Sequence, residues 1–198
     1  MTEVPTTREA LVRATRDAIR DVGMPALTTR EIASRAGANL AAIPYYFGTK
    51  DALVAEALVA EAHDLVAPVF AVLASDRPPP ERVQEAIGLL NDTFDTYRDR
   101  VPVYLAALAS APHTPEVARG LAGLWGDLRD RLTETVVDQQ AGGLVPQWVS
   151  PDAVAALILA VVNGVVVAEV VDPGGPGHRE VAAELLKLLL ASNGNAPG

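Results

Sequence analysis

The sequence predicts an all-α protein of about nine helices: an N-terminal three-helix domain with a helix-turn-helix, then a helical bundle. Three observations lead there. Apolar residues recur at three- and four-residue spacing along most of the chain. Strand-like alternation bounded by Asn-Gly or Asp-Gly turns does not appear. Proline and glycine breaks, each followed by an N-cap residue, divide the chain into helix-sized pieces. With 49% hydrophobic residues in 198, the chain can bury a sizeable core.

The helices follow in order. Thr6 to Val22 is amphipathic, with Leu11, Ala14, Ala18, Ile19 and Val22 on one face, and Gly23 ends it. Thr28 and Glu31 have capping-box spacing, so a second helix begins at Thr28 and closes at Gly37. Asn39 is placed to cap a short third helix through Leu40, Ala41, Ala42 and Ile43. Tyr45, Tyr46 and Phe47 follow, and Thr49 caps a long helix from Lys50 to about Leu73. Arg77-Pro78-Pro79-Pro80 is a firm break, because proline cannot continue a helix. Further helices are expected near Glu81 to Arg98 and from Pro102 through Ala109, where Pro112 breaks the chain. Thr114-Pro115-Glu116 combines an N-cap, a proline at the first position and an acid near the positive end of the dipole. That helix reaches about Gln140 and stops at Gly142-Gly143. Ser150-Pro151-Asp152 repeats the signal for a helix to Val171, and the last helix runs from about His178 to Ala191. The polar tail beyond reads as disordered.

The composition excludes several classes. There is no cysteine, which removes disulfides, thiolate metal sites and cysteine nucleophiles. The three histidines, His63, His113 and His178, lie in different segments, and neither catalytic triad order, a phosphate loop nor metal-ligand spacing is evident. No enzyme activity, cofactor or metal is expected. Glu61, His63 and Asp64 are read as a solvated polar patch, since their spacing does not share one helix face. No signal peptide is evident, so the expected location is cytoplasmic. Ala153 to Val171 approaches membrane-spanning length but contains Asn163 and Glu169 and lacks basic flanks; it is read as a core helix, with no membrane partner.

The net charge of −9 is unevenly spread. Residues 1–53 hold seven Arg/Lys and six Asp/Glu, a net of +1, whereas residues 54–198 hold nine and nineteen, a net of −10. The expected domain division follows: 1–53 and 54–198. An acidic body held apart is compatible with nucleic-acid binding by the small N-terminal module, with modest non-specific affinity.

A helix, a glycine turn and a second short helix make a helix-turn-helix, a unit that reads DNA. Residues from about Thr7 to Leu58 resemble the DNA-binding domain of the tetracycline-repressor (TetR) family. The resemblance rests on Gly23, Thr28-Thr29, Ile32-Ala33, Ala36-Gly37, Ile43, Tyr46-Phe47, Lys50 and Leu53, in order and at the family's spacing. The C-terminal helices are similar to the family's ligand-binding and dimerisation domain only in layout and in the helix Ala153 to Val171.

The resemblance implies a homodimeric, ligand-responsive regulator, usually a repressor, on a palindromic double-stranded DNA operator. It places Thr29, Tyr45, Tyr46 and Lys50 at phosphates, contacts that set register without reading bases. Leu40, Ala41, Ala42 and Pro44 occupy base-reading positions, where only thymine methyls and close contact are open to such side chains. Arg30 either reaches a guanine edge or stays solvated or phosphate-bound. Much of the specificity is therefore expected from Arg30, methyl contacts and DNA shape. Pro44, about five residues into the expected helix, distorts it or delays its start. Ile43 and Phe47 are read as core.

For the implied small-molecule effector, the pocket candidates are His63, Phe70, Phe94, Tyr97, Tyr104, Trp125 and Asn163, each alternatively plain core. Few of these are charged, which suggests an apolar or weakly polar effector. Asn163, an amide in an apolar helix, either binds ligand or bonds across the dimer. The dimer candidates are Ile158, Val162, Val165 and Val166 with Leu185, Leu188 and Leu189; the other reading packs them inside the monomer. The competing function is a helical small-molecule-binding or interaction protein that no longer binds DNA specifically.

Overall fold

The computed structural model describes residues 6–96 and 98–191, without the side chains of 79, 94, 95, 185, 186 and 188–191. Among the described residues there are nine α-helices and no strand. They are α1 (Thr7–Val22), α2 (Thr29–Arg35), α3 (Ala42–Phe47), α4 (Lys50–Leu73), α5 (Pro79–Thr96), α6 (Val101–Ser110), α7 (Pro115–Ala141), α8 (Pro151–Val171) and α9 (His178–Ala191).

Local chemistry accounts for most helix ends. Thr6 and Glu9 form a full capping box at α1, which ends at Gly23. Thr28 accepts the Glu31 amide at 3.1 Å, but the Glu31 carboxylate turns to Arg35 at 2.7 Å, so only half of the expected box forms. Gly37 takes φ of +62°, a left-handed turn that a side chain would strain. Thr49 accepts the Ala52 amide at 3.1 Å, and Ser150 accepts that of Ala153 at 3.4 Å.

The chain forms two compact units: residues 1–65 with 99–122, and residues 66–98 with 123–198. The expected boundary after residue 53 falls in the first turn of α4, and the three-helix module lies wholly within the first unit. There α1 packs on α2, α3 and α6. Leu11, Ile32, Leu53, Leu58, Val103 and Val117 are almost fully buried in this unit. The helices come close enough that a Cβ on Gly120 of α7 would collide with the Val59 side chain of α4.

A buried acid fastens this unit. Glu61 on α4 is 2% exposed and pairs with Arg16 of α1 and Arg100 of α6. Arg16 also reaches the half-exposed Asp64 at 2.8 Å. This corrects the expected solvated patch at Glu61 and Asp64: arginines remote in sequence make burial of the carboxylate tolerable. His63, the third residue of that patch, is exposed.

In the second unit α9 packs on α5 and α8. Among the described residues α8 alone has the length and apolarity to cross a membrane, with a mean hydropathy of 2.5 over 18 residues. Its apolar residues divide between two faces. Ile158, Val162 and Val165 line an internal cavity and Val166 is buried. Ala153, Leu157, Ala160, Gly164, Val167 and Val171 are exposed on another.

Candidate nucleic-acid interface and ligand cavity

In the first unit, α2 and α3 with the turn between them present the helix-turn-helix. Pro44 decides where α3 begins. The Asn39 side chain accepts the Ala41 amide at 2.9 Å, and the Ala42 amide reaches the Asn39 carbonyl at 2.9 Å. This forms a turn rather than the expected helix start. Regular helix begins at Ala42, which puts Pro44 in the first turn, where a missing N–H leaves no helical bond unmade. The later start also brings Tyr45, Tyr46 and Phe47 into α3, instead of after it.

The surface is aromatic and aliphatic. Tyr45 is 80% exposed and packs edge-on against Tyr46, with centroids 4.8 Å apart. Leu40 is 49% exposed, and Ala41 and Pro44 are exposed beside it, with Ala42 half-buried. Ile43 is buried as expected, and Phe47 is half-buried with the Arg8 guanidinium 5.1 Å from its ring centre. Thr29 is half-buried at the start of α2. Lys50 donates to the Leu27 carbonyl at 3.2 Å, an anchor that holds its ammonium beside α3 and α4. Arg30 is exposed and makes no ion pair or hydrogen bond among the described residues, whereas Arg8, Arg16, Arg20 and Arg35 are all paired with acids.

The second unit encloses a cavity of about 230 Å³ between α4, α5, α7, α8 and α9. Its wall is mostly aliphatic: Val69, Ile87, Leu90, Leu132, Val161 and Val181 are representative. Four polar side chains interrupt it, namely Asn91, Thr135, Gln139 and His178. The Thr135 hydroxyl is occupied by the Arg131 carbonyl at 2.9 Å. His178 Nδ1 lies 2.8 Å from Glu169, whose other oxygen takes Arg98 at 2.6 Å. The His178 hydrogen bond first, and that of Arg98 next, hold the Glu169 carboxyl at about 2. An acid kept ionised accepts, so Nδ1 is the protonated nitrogen of the ring.

None of the described residues expected at the pocket lines this cavity. Tyr104 is half-buried and His63 exposed in the first unit; Trp125 is exposed in the second. Phe70 is half-buried, with the Arg131 guanidinium 5.8 Å from its ring centre. Asn163 donates to the Leu159 carbonyl of its own helix at 2.8 Å, which answers the amide locally. The side chains of Phe94, Tyr97, Leu185, Leu188 and Leu189 lie outside the described residues. The expected dimer residues Ile158, Val162, Val165 and Val166 face inward. Since α8 is apolar all round, periodicity could not tell its cavity face from its outer face. Its polar wall residues carried no motif, and His178 was noticed only as an isolated histidine.

A helix-turn-helix on one unit and an apolar cavity inside another define the architecture of a ligand-responsive DNA-binding regulator. Residues 11–57 match the profile of bacterial regulatory proteins of the tetR family, and residues 79–193 that of the BetI-type transcriptional repressor C-terminal domain. The second match alone exceeds half of the chain, and the chain belongs to the TetR family. Its curated relatives are regulators rather than enzymes. The HTH-type transcriptional regulator BetI of Stenotrophomonas maltophilia is 32% identical over 118 residues, 58% of this chain and 59% of that protein. The regulator PksA of Bacillus subtilis is 25% identical over 167 residues, covering 84% and 80%. The match thus spans less than two thirds of the BetI relative's own length. A TetR transcription regulator from Haloarcula marismortui shares the fold, with a TM-score of 0.80 and 22% identity over 94% of this chain and 97% of that one. A transcriptional regulator from Saccharomonospora viridis, solved with choline, has a TM-score of 0.75 and 19% identity, covering 91% and 94%.

Proposed function

We propose that the protein is a homodimeric, cytoplasmic transcriptional repressor that leaves a palindromic operator when a small uncharged effector enters the cavity of its second unit. The observation that carries the DNA-binding half is the exposed α2–turn–α3 surface, with Arg30 unpaired at its edge, inside the segment matched to the tetR family. On this reading Thr29, Tyr45, Tyr46 and Lys50 hold phosphates and fix register. Leu40, Ala41, Ala42 and Pro44 meet thymine methyls, and Arg30 with DNA shape supplies the remaining discrimination.

The outer face of α8 supports self-association. Ala153, Leu157, Ala160, Gly164, Val167 and Val171 repeat at alternating spacings of four and three, the pattern of a helix-pairing seam. Ala160 and Gly164 at its centre permit close approach, and Val171 is 76% exposed at its end. Covering this stripe with a second copy removes an apolar surface of the kind that marks interfaces. Two-fold symmetry then matches a palindromic operator.

Choline, the ligand of the Saccharomonospora viridis protein, fits the described cavity wall poorly. A quaternary ammonium is held by aromatic faces or carboxylates, and the described wall has neither. An uncharged effector is the better match.

The test is a gel shift of the purified chain on DNA flanking its own gene, across salt concentrations. A specific, salt-sensitive shift by a dimer is expected, weakened by Arg30→Ala. Absence of any specific shift at low salt would favour a small-molecule-binding protein without DNA function.

A further inference from the structure

The cavity is elongated, and its two ends can be assigned from hydrogen bonds and ion pairs. At one end, Arg82 reaches the Leu73 carbonyl at 3.1 Å and pairs with Asp138. Gln140 donates to the Val149 carbonyl at 2.9 Å, which ties the end of α7 to the loop that starts α8. Leu73, Val83, Gln139, Val149 and Val154 therefore share this end. At the other, Glu169 holds His178 and Arg179 pairs with Asp92 at 3.6 Å, which sets Asn91 beside Val165, His178 and Val181. Along α8 the lining runs from Val154 to Val165, about 16 Å at ~1.5 Å per residue.

A volume of about 230 Å³ spread along that length is narrow. It suits one extended chain and not a broad ring system. With C–C bonds of about 1.5 Å, an alkyl chain of roughly eight to ten carbons matches the span. Ile87, Leu90, Ile158, Val161 and Val162 supply an aliphatic middle. No described wall residue is Asp, Glu, Lys or Arg, so a charged group carried inside would lose its water without gaining a counter-ion.

The Asn91–His178 end has the hydrogen-bonding capacity. The Asn91 amide makes no hydrogen bond to any described residue. With its Nδ1–H turned to Glu169, a neutral His178 ring presents Nε2 as an acceptor.

We propose that this cavity takes a single unbranched aliphatic chain of medium length, bearing one uncharged hydroxyl or amide group that hydrogen-bonds at the Asn91–His178 end. The inference rests on the reading of this cavity as the effector site. Asn91 and His178 are then its specificity-determining residues.

Calorimetry on the full chain with decanol, decanoate, decyltrimethylammonium and choline tests it. Decanol binds at least about tenfold more tightly than either charged ten-carbon analogue, and choline gives no binding heat. Asn91→Leu and His178→Phe each weaken decanol about tenfold, and Ile158→Trp, which fills the slot, abolishes binding. Should His178→Phe not fold, Asn91→Leu decides. Equal affinity for decanoate or decyltrimethylammonium overturns the proposal, as do unchanged decanol binding in Asn91→Leu and retained binding in Ile158→Trp. A parallel gel shift separates the two readings. Decanol binding with the expected ranking but no effect on DNA removes the effector role and keeps the ligand class. If no ten-carbon compound binds, yet Ile158→Trp alters operator affinity, the effector site stands and the ligand class falls.

Discussion

Replacing Glu61 by glutamine keeps the shape of the side chain and removes its charge. Glu61 is almost fully buried and pairs with Arg16 and Arg100, whose side chains are themselves largely covered. The variant leaves two guanidinium groups without their shared carboxylate. Breaking a buried pair on one side costs about 3 to 5 kcal/mol. Arg16 keeps Asp64 at 2.8 Å, a half-exposed partner that recovers part of the loss. The expected net cost of Glu61→Gln is therefore about 2 to 3 kcal/mol. For a chain of this size each kcal/mol moves Tm by roughly 2 to 4 °C, giving a fall of about 5 to 10 °C by far-ultraviolet circular dichroism. Asp64→Asn, at an exposed site, should cost less than about 1 kcal/mol. Replacing the whole cluster, as Arg16→Met, Glu61→Leu and Arg100→Met together, should recover most of the loss, because no uncompensated charge remains. A Tm for Glu61→Gln within about 1 °C of the unaltered protein would refute the reasoning, since about 2 kcal/mol cannot vanish from that measurement.

Three further outcomes are expected. Gly120→Ala gains up to about 1 kcal/mol of helix propensity but drives a Cβ into Val59, an overpacking cost of about 1 to 3 kcal/mol; chemical denaturation should show net destabilisation. Gly123→Ala, with open space around it, should stabilise in the same assay. Glu169, held at about 2 from an ordinary 4.5, contributes stability that is fully present above its unfolded value and lost as pH falls toward its folded one. The stability gap between the unaltered protein and Glu169→Gln should shrink by about 2 kcal/mol between about pH 6 and about pH 3; a constant gap would contradict the assignment. Gly164→Leu meets nothing within 4 Å in the single chain but widens the proposed seam, so light scattering should show monomer while circular dichroism stays unchanged.

The helices and the helix-turn-helix were legible because their determinants lie a few residues apart. Thr6, Thr28, Thr49 and Ser150 cap the amide three residues on, and Gly23 and Gly37 end their helices in positive-φ turns. Pro44 announced its own difficulty; only the observed turn at Asn39 showed that α3 resolves it by starting at Ala42. Glu61 was misread because its partners sit 45 and 39 residues away, beyond any helical spacing argument.

The sequence by itself determined the class of protein: all helical, with a DNA-reading module announced by caps, a glycine turn, an aromatic run and Lys50, all governed by short-range bonding. The tertiary structure alone decided what α8 does with its two apolar faces, placing Ile158, Val162 and Val165 around a cavity and leaving Leu157, Gly164 and Val167 outside. It also chose the polar groups of that cavity, Asn91 and His178 among them, over the expected Phe70, Trp125 and Asn163. The physical reason is common to both. A uniformly apolar helix carries no periodic mark of which face is covered, and a cavity is lined by residues from five helices that only packing brings together.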